Sequence, residues 1–184
     1  AMMRTFDPMQ ALAAIDGRCV THWAALPDTF RQMVALPAEA IAAADCSSLQ
    51  DLVIGGAPAS WALKSKIVAA FGPILSESYG STETGPITLM PATSQTERPG
   101  SCGRPLRGVT VEIRDAAGRR LPPDFVGEIW ARTPRSLECD LIGQRTRGPR
   151  DDDGFIATGD SGRVDKDGFL YIAILLFPGP AADL

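Results

Sequence analysis

The densest run of chemically able side chains is Tyr79-Gly80-Ser81-Thr82-Glu83-Thr84-Gly85. Small and hydroxylated residues let the backbone and the Thr82 hydroxyl approach phosphate oxygens closely. Glu83 offers a hard oxygen ligand of the kind that suits Mg²⁺. Tyr79 offers a flat aromatic face for a base. The same residues also fit a plain Gly/Ser/Thr turn with no ligand, and residue types alone leave both readings open. Two shorter runs accompany this one, Gly55-Gly56-Ala57-Pro58 upstream and Thr158-Gly159-Asp160 downstream. A carboxylate such as Asp160 can accept two hydroxyl donors at once.

The segments around these runs read as alternating helix and strand. Residues 8–15 form a helix candidate, with Asp7 as N-cap and Gly17 as stop. Residues 19–24 read as a short buried strand, and Pro27 opens a helix with Phe30, Met33 and Val34 on one face. Residues 49–54 are a compact apolar strand that ends in Gly55-Gly56. Leu63, Ile67, Ala70 and Phe71 then fall at helical spacing before Gly72-Pro73, and residues 74–79 return to strand. This rhythm predicts a parallel sheet flanked by helices. It places the tyrosine run at the C-terminal edge of that sheet, where open α/β sheets hold ligands.

After about residue 91 the period changes to two. Val109, Val111 and Ile113 alternate with Thr110, Glu112 and Arg114, and residues 115–118 form a turn. Residues 127–132 make another strand, and residues 163–165 and 169–172 flank a turn at 166–168. The predicted fold is therefore α/β, a parallel sheet with flanking helices followed by a smaller antiparallel, barrel-like β subdomain. The expected division is 1–95 for the α/β part, 96–173 for the β-rich part and 174–184 for an atypical apolar tail. Residues 134–153 read as an exposed loop.

Composition narrows the classes. With 45% apolar and 22% charged residues in 184, the chain can build a real core and is neither disordered nor fibrous. A net charge of −4 disfavours nucleic acid as a partner, because phosphate neutralisation needs clustered Lys and Arg. Cys19, Cys46, Cys102 and Cys139 are scattered without a C-x-x-C pair, which points to reduced thiols in a cytoplasmic protein rather than a zinc site. The longest apolar run, residues 169–177, is about half of what a transmembrane segment needs. His22 reads as a structural histidine in a buried strand, and no G-x-S-x-G marks a serine hydrolase. Trp23, Trp61 and Trp130 read as core. Asp151-Asp152-Asp153-Gly154 and Asp165-Lys166-Asp167-Gly168 read as solvated turns rather than calcium loops. Arg145, Arg147 and Arg150 read as a surface loop, with contact to a ligand phosphate as the sharper alternative.

Read in order, GGAP (55–58), YGSTETG (79–85), GSCGRP (100–105), GEIWAR (127–132), TGD (158–160) and DGFLYI (167–172) form a longer constellation. It resembles the AMP-forming acyl-CoA synthetases, the adenylate-forming family that also includes luciferases and peptide-synthetase adenylation domains. The resemblance runs from about residue 5 to residue 173. It implies that Gly55, Gly56, Ala57 and Pro58 pack against adenine and that Tyr79, backed by Gly80 and Ser81, stacks on it. It further implies that Thr82 binds the α-phosphate, that Glu83 helps hold Mg²⁺, and that Asp160 grips the ribose. Thr82 and Glu83 are thus the catalytic candidates, with ATP or AMP, Mg²⁺ and coenzyme A as cofactors and co-substrates. The implied reaction joins a carboxylic acid to ATP as an acyl-adenylate and passes the acyl group to a thiol.

The chain departs from the family in places. Its Lys-bearing phosphate loop and the small domain with the catalytic lysine have no counterpart in these residues. Ala173-Ile174-Leu175-Leu176-Phe177-Pro178 stands where a basic hinge is expected. The expectation is a central piece of such a ligase, binding nucleotide weakly and inactive alone. The alternative is a non-catalytic adenylate-binding or interaction module that pairs with itself or another chain, with the apolar tail as the contact.

Overall fold

A computed structural model of the protein describes residues 5–136 and 150–173. Among these residues nine strands form two sheets. The tail at 174–184, and residues 137–149 with Cys139, Arg145 and Arg147, lie outside the described residues.

The first sheet has the order β1-β2-β3-β4-β5. Helix α1 (Pro8–Arg18) starts as its residues dictate: Pro8 opens the first turn and the Asp7 carboxylate accepts the Gln10 amide at 2.8 Å. It does not stop at Gly17. The chain leaves the helix at Cys19, at φ 49°, where the Cys19 and Val20 amides reach back to the carbonyls of Asp16 and Ile15. The next strand therefore starts later than residue 19, as β1 (His22–Ala25), and it is half exposed rather than buried. His22 itself is exposed, with Nδ1 sharing a hydrogen bond with the Thr21 hydroxyl at 2.9 Å.

Helix α2 (Pro27–Met33) drives Phe30 and Met33 fully into the core. Trp23 of β1 packs between Phe6 and Phe30, a core role as expected. The short helix α3 (Ala38–Ala43) buries none of its residues. Strand β2 (Asp51–Gly55) lies parallel to both β1 and β3 (Leu75–Ser81). Between β2 and β3 runs α4 (Trp61–Phe71), capped by the Ser60 hydroxyl on the Leu63 amide and ended by Gly72 at φ 88°. Leu63 and Ile67 face the core, whereas Trp61, at the helix start, is 44% exposed and not a core residue. The α/β core joins these helices to Leu52, Ile54 and Leu75.

The parallel run then turns back. Strand β4 (Gly85–Met90) follows β3 after three residues and pairs with it antiparallel, because so short a link cannot carry a crossover. After a single 3₁₀ turn (Ala92–Ser94), β5 (Arg104–Pro105) adds a last antiparallel edge. The second sheet is antiparallel throughout, in the order β6 (Thr110–Arg114), β7 (Gly127–Arg132), β8 (Ile156–Val164), β9 (Leu170–Ala173). Trp130 is buried, under Arg114 and with its indole N–H on Glu128.

A strap joins the sheets. Cys102 and Gly103 exchange backbone bonds with Leu170 at 3.0 and 2.9 Å. The Ser101 hydroxyl donates to the Leu170 carbonyl at 2.8 Å and the Thr88 hydroxyl to the Cys102 carbonyl at 2.7 Å. Beside it, the guanidinium groups of Arg98 and Arg104 both lie over the Phe169 ring, and Arg98 also pairs with Asp165 and Asp167. The two Asp-rich runs close their own turns: Asp165 accepts the amides of Asp167 and Phe169, and Asp151 accepts the Phe155 amide and Arg114. Among the described residues no helix is long and apolar enough to cross a membrane.

Burial pushes the Asp165 carboxyl up, but two amides, the Tyr171 hydroxyl and Arg98 outweigh it and hold it below its ordinary value. A lowered folded value means stability that is present above about pH 4 and is lost as the pH falls through that lowered value. Asp165→Asn should therefore destabilise the protein by about 1–3 kcal/mol at neutral pH. The difference should shrink in acid, as urea denaturation of both forms across the pH range would show.

Candidate functional site

Parallel pairing decides where the glycine-rich runs meet. Gly55 of β2 pairs with Ser78 of β3, so residues 56–58 leave β2 at the edge where residues 79–81 run on, paired with β4 alone. The approach is tight: a side chain on Gly55 would run into the Ser78 carbonyl, and one on Gly80 would run into the backbone of Gly85 and Pro86.

Asp160 arrives from the other sheet. The TGD run lies within β8. Ala157 pairs with Trp130 and Ser161 with Glu128, so residues 158–160 stand opposite Ile129 alone as a bulge, with Gly159 at φ 80°. The Thr158 hydroxyl donates to the Ile129 carbonyl at 2.9 Å and accepts the Asp160 amide at 3.2 Å, which braces the bulge. The Tyr79 hydroxyl donates to Asp160 Oδ2 at 2.7 Å, across 81 residues of sequence. Tyr79 packs against the cluster of Cys102, Ile113, Ile129 and Leu170. Burial, with the Asp160 carboxylate beside it, pushes the phenol above its ordinary value, so it stays a proton donor.

These residues enclose a cleft of about 190 Å³, lined by Gly56, Ala57, Pro58, Glu77, Tyr79, Gly80, Cys102, Asp160 and Ile172 among others. That is smaller than the roughly 300–1,000 Å³ of drug-sized pockets and suits one flat ring system. A wider groove of about 810 Å³ adjoins it, lined by Leu26, Val53, Gly55, Ser81, Thr82 and Glu83 among others. Gly56, Ser78 and Gly80 line both spaces. The residues singled out in the sequence thus divide between two neighbouring spaces: Ala57, Pro58, Tyr79 and Asp160 in the cleft, Gly55, Ser81, Thr82 and Glu83 in the groove, and Gly56 and Gly80 at both.

The β3–β4 turn is held by two hydroxyls. The Ser81 amide donates to Thr84 Oγ1 at 3.1 Å and the Thr84 amide to Ser81 Oγ at 3.3 Å, a reciprocal closure. The Thr84 carbonyl accepts the Thr133 hydroxyl at 2.7 Å, tying the turn to the end of β7. Thr82 and Glu83 are left as the two residues of the turn that line the groove. Glu83 brings one carboxylate, and among the described residues no group of three or more potential metal ligands gathers. That donor set fits a Mg²⁺ held largely by phosphate oxygens, not by a protein cage.

Sequence reasoning missed four residues that line the cleft, Glu77, Ser78, Cys102 and Ile172. Glu77 sits one strand period before Tyr79, hence on the same face. Its carboxylate pairs with the Lys64 ammonium, although Lys64 is only 4% exposed. Burial pushes the Glu77 carboxyl up, against the pull of Lys64. A lysine within the apolar stripe of α4, between Leu63 and Ile67, was the available signal.

The family model described as AMP-binding enzyme matches residues 1–139. The chain belongs to the AMP-binding enzyme family. A fatty acid–[acyl-carrier-protein] ligase, ScoC of Streptomyces coeruleorubidus, is 35% identical over 92% of this chain and 33% of its own length. The 4-coumarate–CoA ligase-like protein 6 of Oryza sativa subsp. japonica is 33% identical over 93% of this chain and 29% of its own length. Among solved structures, the amide bond synthetase McbA of Marinactinospora thermotolerans superposes with a TM-score of 0.81 at 33% identity, covering 92% of this chain and 35% of that one. ATP-bound MatB of Rhodopseudomonas palustris gives 0.77 at 26% identity, covering 93% and 33%. The chain therefore spans about a third of the length of these AMP-binding relatives.

Thr84 is 1% exposed and supports the turn without facing the groove. Thr84→Val keeps its volume and removes its hydroxyl, leaving the Ser81 amide without its acceptor. A loss of about 1–3 kcal/mol is expected in thermal or urea unfolding.

Proposed function

We propose that these residues carry the nucleotide-binding part of an AMP-forming acid–thiol ligase. The observation behind this reading is that Tyr79 and Asp160, from different sheets, share one small cleft with Ala57 and Pro58, and that this cleft shares Gly56, Ser78 and Gly80 with the groove of Thr82 and Glu83. A nucleoside monophosphate has the matching shape, a flat base, a sugar with two hydroxyls and an anion at the end.

In this reading Tyr79 and the 55–58 turn take the two faces of adenine, with Gly80 and Ser81 giving the phosphate room to approach. Asp160 accepts the ribose hydroxyls. Tyr79 already donates to one oxygen of Asp160 and so fixes the carboxylate while its remaining lone pairs stay able to accept. Thr82 donates its hydroxyl to the α-phosphate, a contact that needs no buried countercharge. Glu83 would hold Mg²⁺, which when bound neutralises charge at the phosphates.

The reaction then has two halves. A carboxylate oxygen attacks the α-phosphorus of ATP, the bond from that phosphorus to the bridging oxygen breaks, and pyrophosphate leaves. A thiolate then attacks the acyl carbon, and AMP leaves. The residues described here orient the nucleotide and meet charge developing on the α-phosphate. In our reading the thiol is that of coenzyme A and the compartment is the cytoplasm. The acceptors named for the relatives, an acyl-carrier protein and coenzyme A among them, differ from one to another.

Calorimetry with AMP tests this directly. Binding is expected for the wild type. Asp160→Ala and Tyr79→Ala should each weaken it by about tenfold or more. No heat with the wild type, or an unchanged affinity in Asp160→Ala, would reject the assignment. A pyrophosphate-release assay on these 184 residues should show no appreciable turnover. The Lys-bearing loop and lysine domain that the resemblance implies are not among them.

A further inference from the structure

The cleft has a second carboxylate that this binding scheme leaves without a task. Asp160 is exposed, whereas Glu77 is largely buried and borders the same cleft on the Tyr79 face of β3. A bound nucleoside presents polar groups at both ends of a flat body. The exposed carboxylate suits the sugar hydroxyls, so the buried one is left for the edge of the base. An ionised carboxylate there accepts a hydrogen bond from an amino group and repels a carbonyl.

Glu77 reaches that state only with help. Its nearest cation is Lys64 of α4, which donates to Oε2. The other titratable groups around the cleft are the Tyr79 phenol and the Cys102 thiol, the latter pushed up to about 12 by burial, and Asp160 from β8. The phenol and thiol are neutral and Asp160 is itself an acid, so among the described residues that line or pair within this cluster Lys64 alone brings positive charge.

Resting on the nucleotide reading above, we propose that Lys64 is a positioning residue for the cleft: it keeps Glu77 ionised and in place as the acceptor for an amino-bearing base. The lysine touches no ligand and acts through the carboxylate. Without it, burial is unopposed and Glu77 takes up a proton at a higher pH. Its oxygen then becomes a donor and the base loses its acceptor.

Adenosine is the suitable probe, because it carries no phosphate to titrate. Its affinity would be followed by calorimetry from about pH 8 to about pH 5 in the wild type, Lys64→Met, Lys64→Arg and the double variant Lys64→Met/Glu77→Met. Lys64→Met should bind about tenfold more weakly, with its affinity starting to fall at a higher pH than in the wild type. Lys64→Arg keeps the charge and should restore both the affinity and the profile. The double variant replaces a buried ion pair by apolar groups, a change that is often neutral or stabilising, so it answers the case in which Lys64→Met fails to fold. It should bind about tenfold more weakly and lack the early fall in acid. Wild-type affinity and pH profile in Lys64→Met, or wild-type affinity in the double variant, would overturn the role of Lys64 while leaving the nucleotide reading intact. No binding of adenosine by the wild type would overturn both.

Discussion

The hydrogen bond from Tyr79 to Asp160 joins two sheets that share no strand, and the candidate site exists only where that bond can form. A hydroxyl and a carboxylate meet at 2.7 Å only if both backbones are held to within a fraction of an ångström. The strap at 101–103 supplies that constraint. It fastens β9 to the β4–β5 side of the first sheet through backbone bonds to Leu170. Strand β8 pairs with β9 and carries Asp160, while β3 pairs with β4 and carries Tyr79. The geometry of the cleft is thus inherited from ladder hydrogen bonds on either side and does not depend on a flexible loop.

Charge is placed with similar economy. Most ion pairs sit at the surface, where each contributes little, as with Arg31–Asp28 and Arg119–Asp115. Lys64–Glu77, like the Arg114 pairs with Glu112 and Asp151, differs because both partners are largely out of water, and it alone of these borders the cleft. Removing one partner of such a pair typically costs about 3–5 kcal/mol, whereas apolar residues in both positions often serve stability as well or better. Stability alone therefore gives no reason to keep the pair. A charge beside a cleft does.

Much of this was legible in the chain. The 3.6-residue period, the cap at Asp7 and the stop at Gly72 mark α1 and α4, because these are local signals. Period-two alternation marks β6 for the same reason. The end of α1 was not legible, since a cysteine in the left-handed region is an uncommon way to stop a helix. Strand β4 was hidden because its first residue closes the glycine-rich motif, which reads as a loop. His22 and Trp61 were misplaced because an apolar neighbourhood in sequence does not say which side of an edge element faces solvent. The glycine-rich runs and the TGD run stood out by composition, but their meeting depends on strand register between distant segments. The Lys64–Glu77 contact depends on how a helix sits over a sheet, and no local pattern encodes it.

The three-for-one bulge in β8 has a separate implication. Along a regular strand, sliding the register by one residue would turn Asp160 to the opposite face and disturb every pair beyond it. Because residues 158–160 all stand against Ile129, the loop they form can lengthen, shorten or change composition while Ala157 and Ser161 keep their partners. The position of one acid is thereby uncoupled from the integrity of the sheet that carries it. A scaffold with that property can adjust its grip on a ligand by small local edits, with the rest of the architecture left alone.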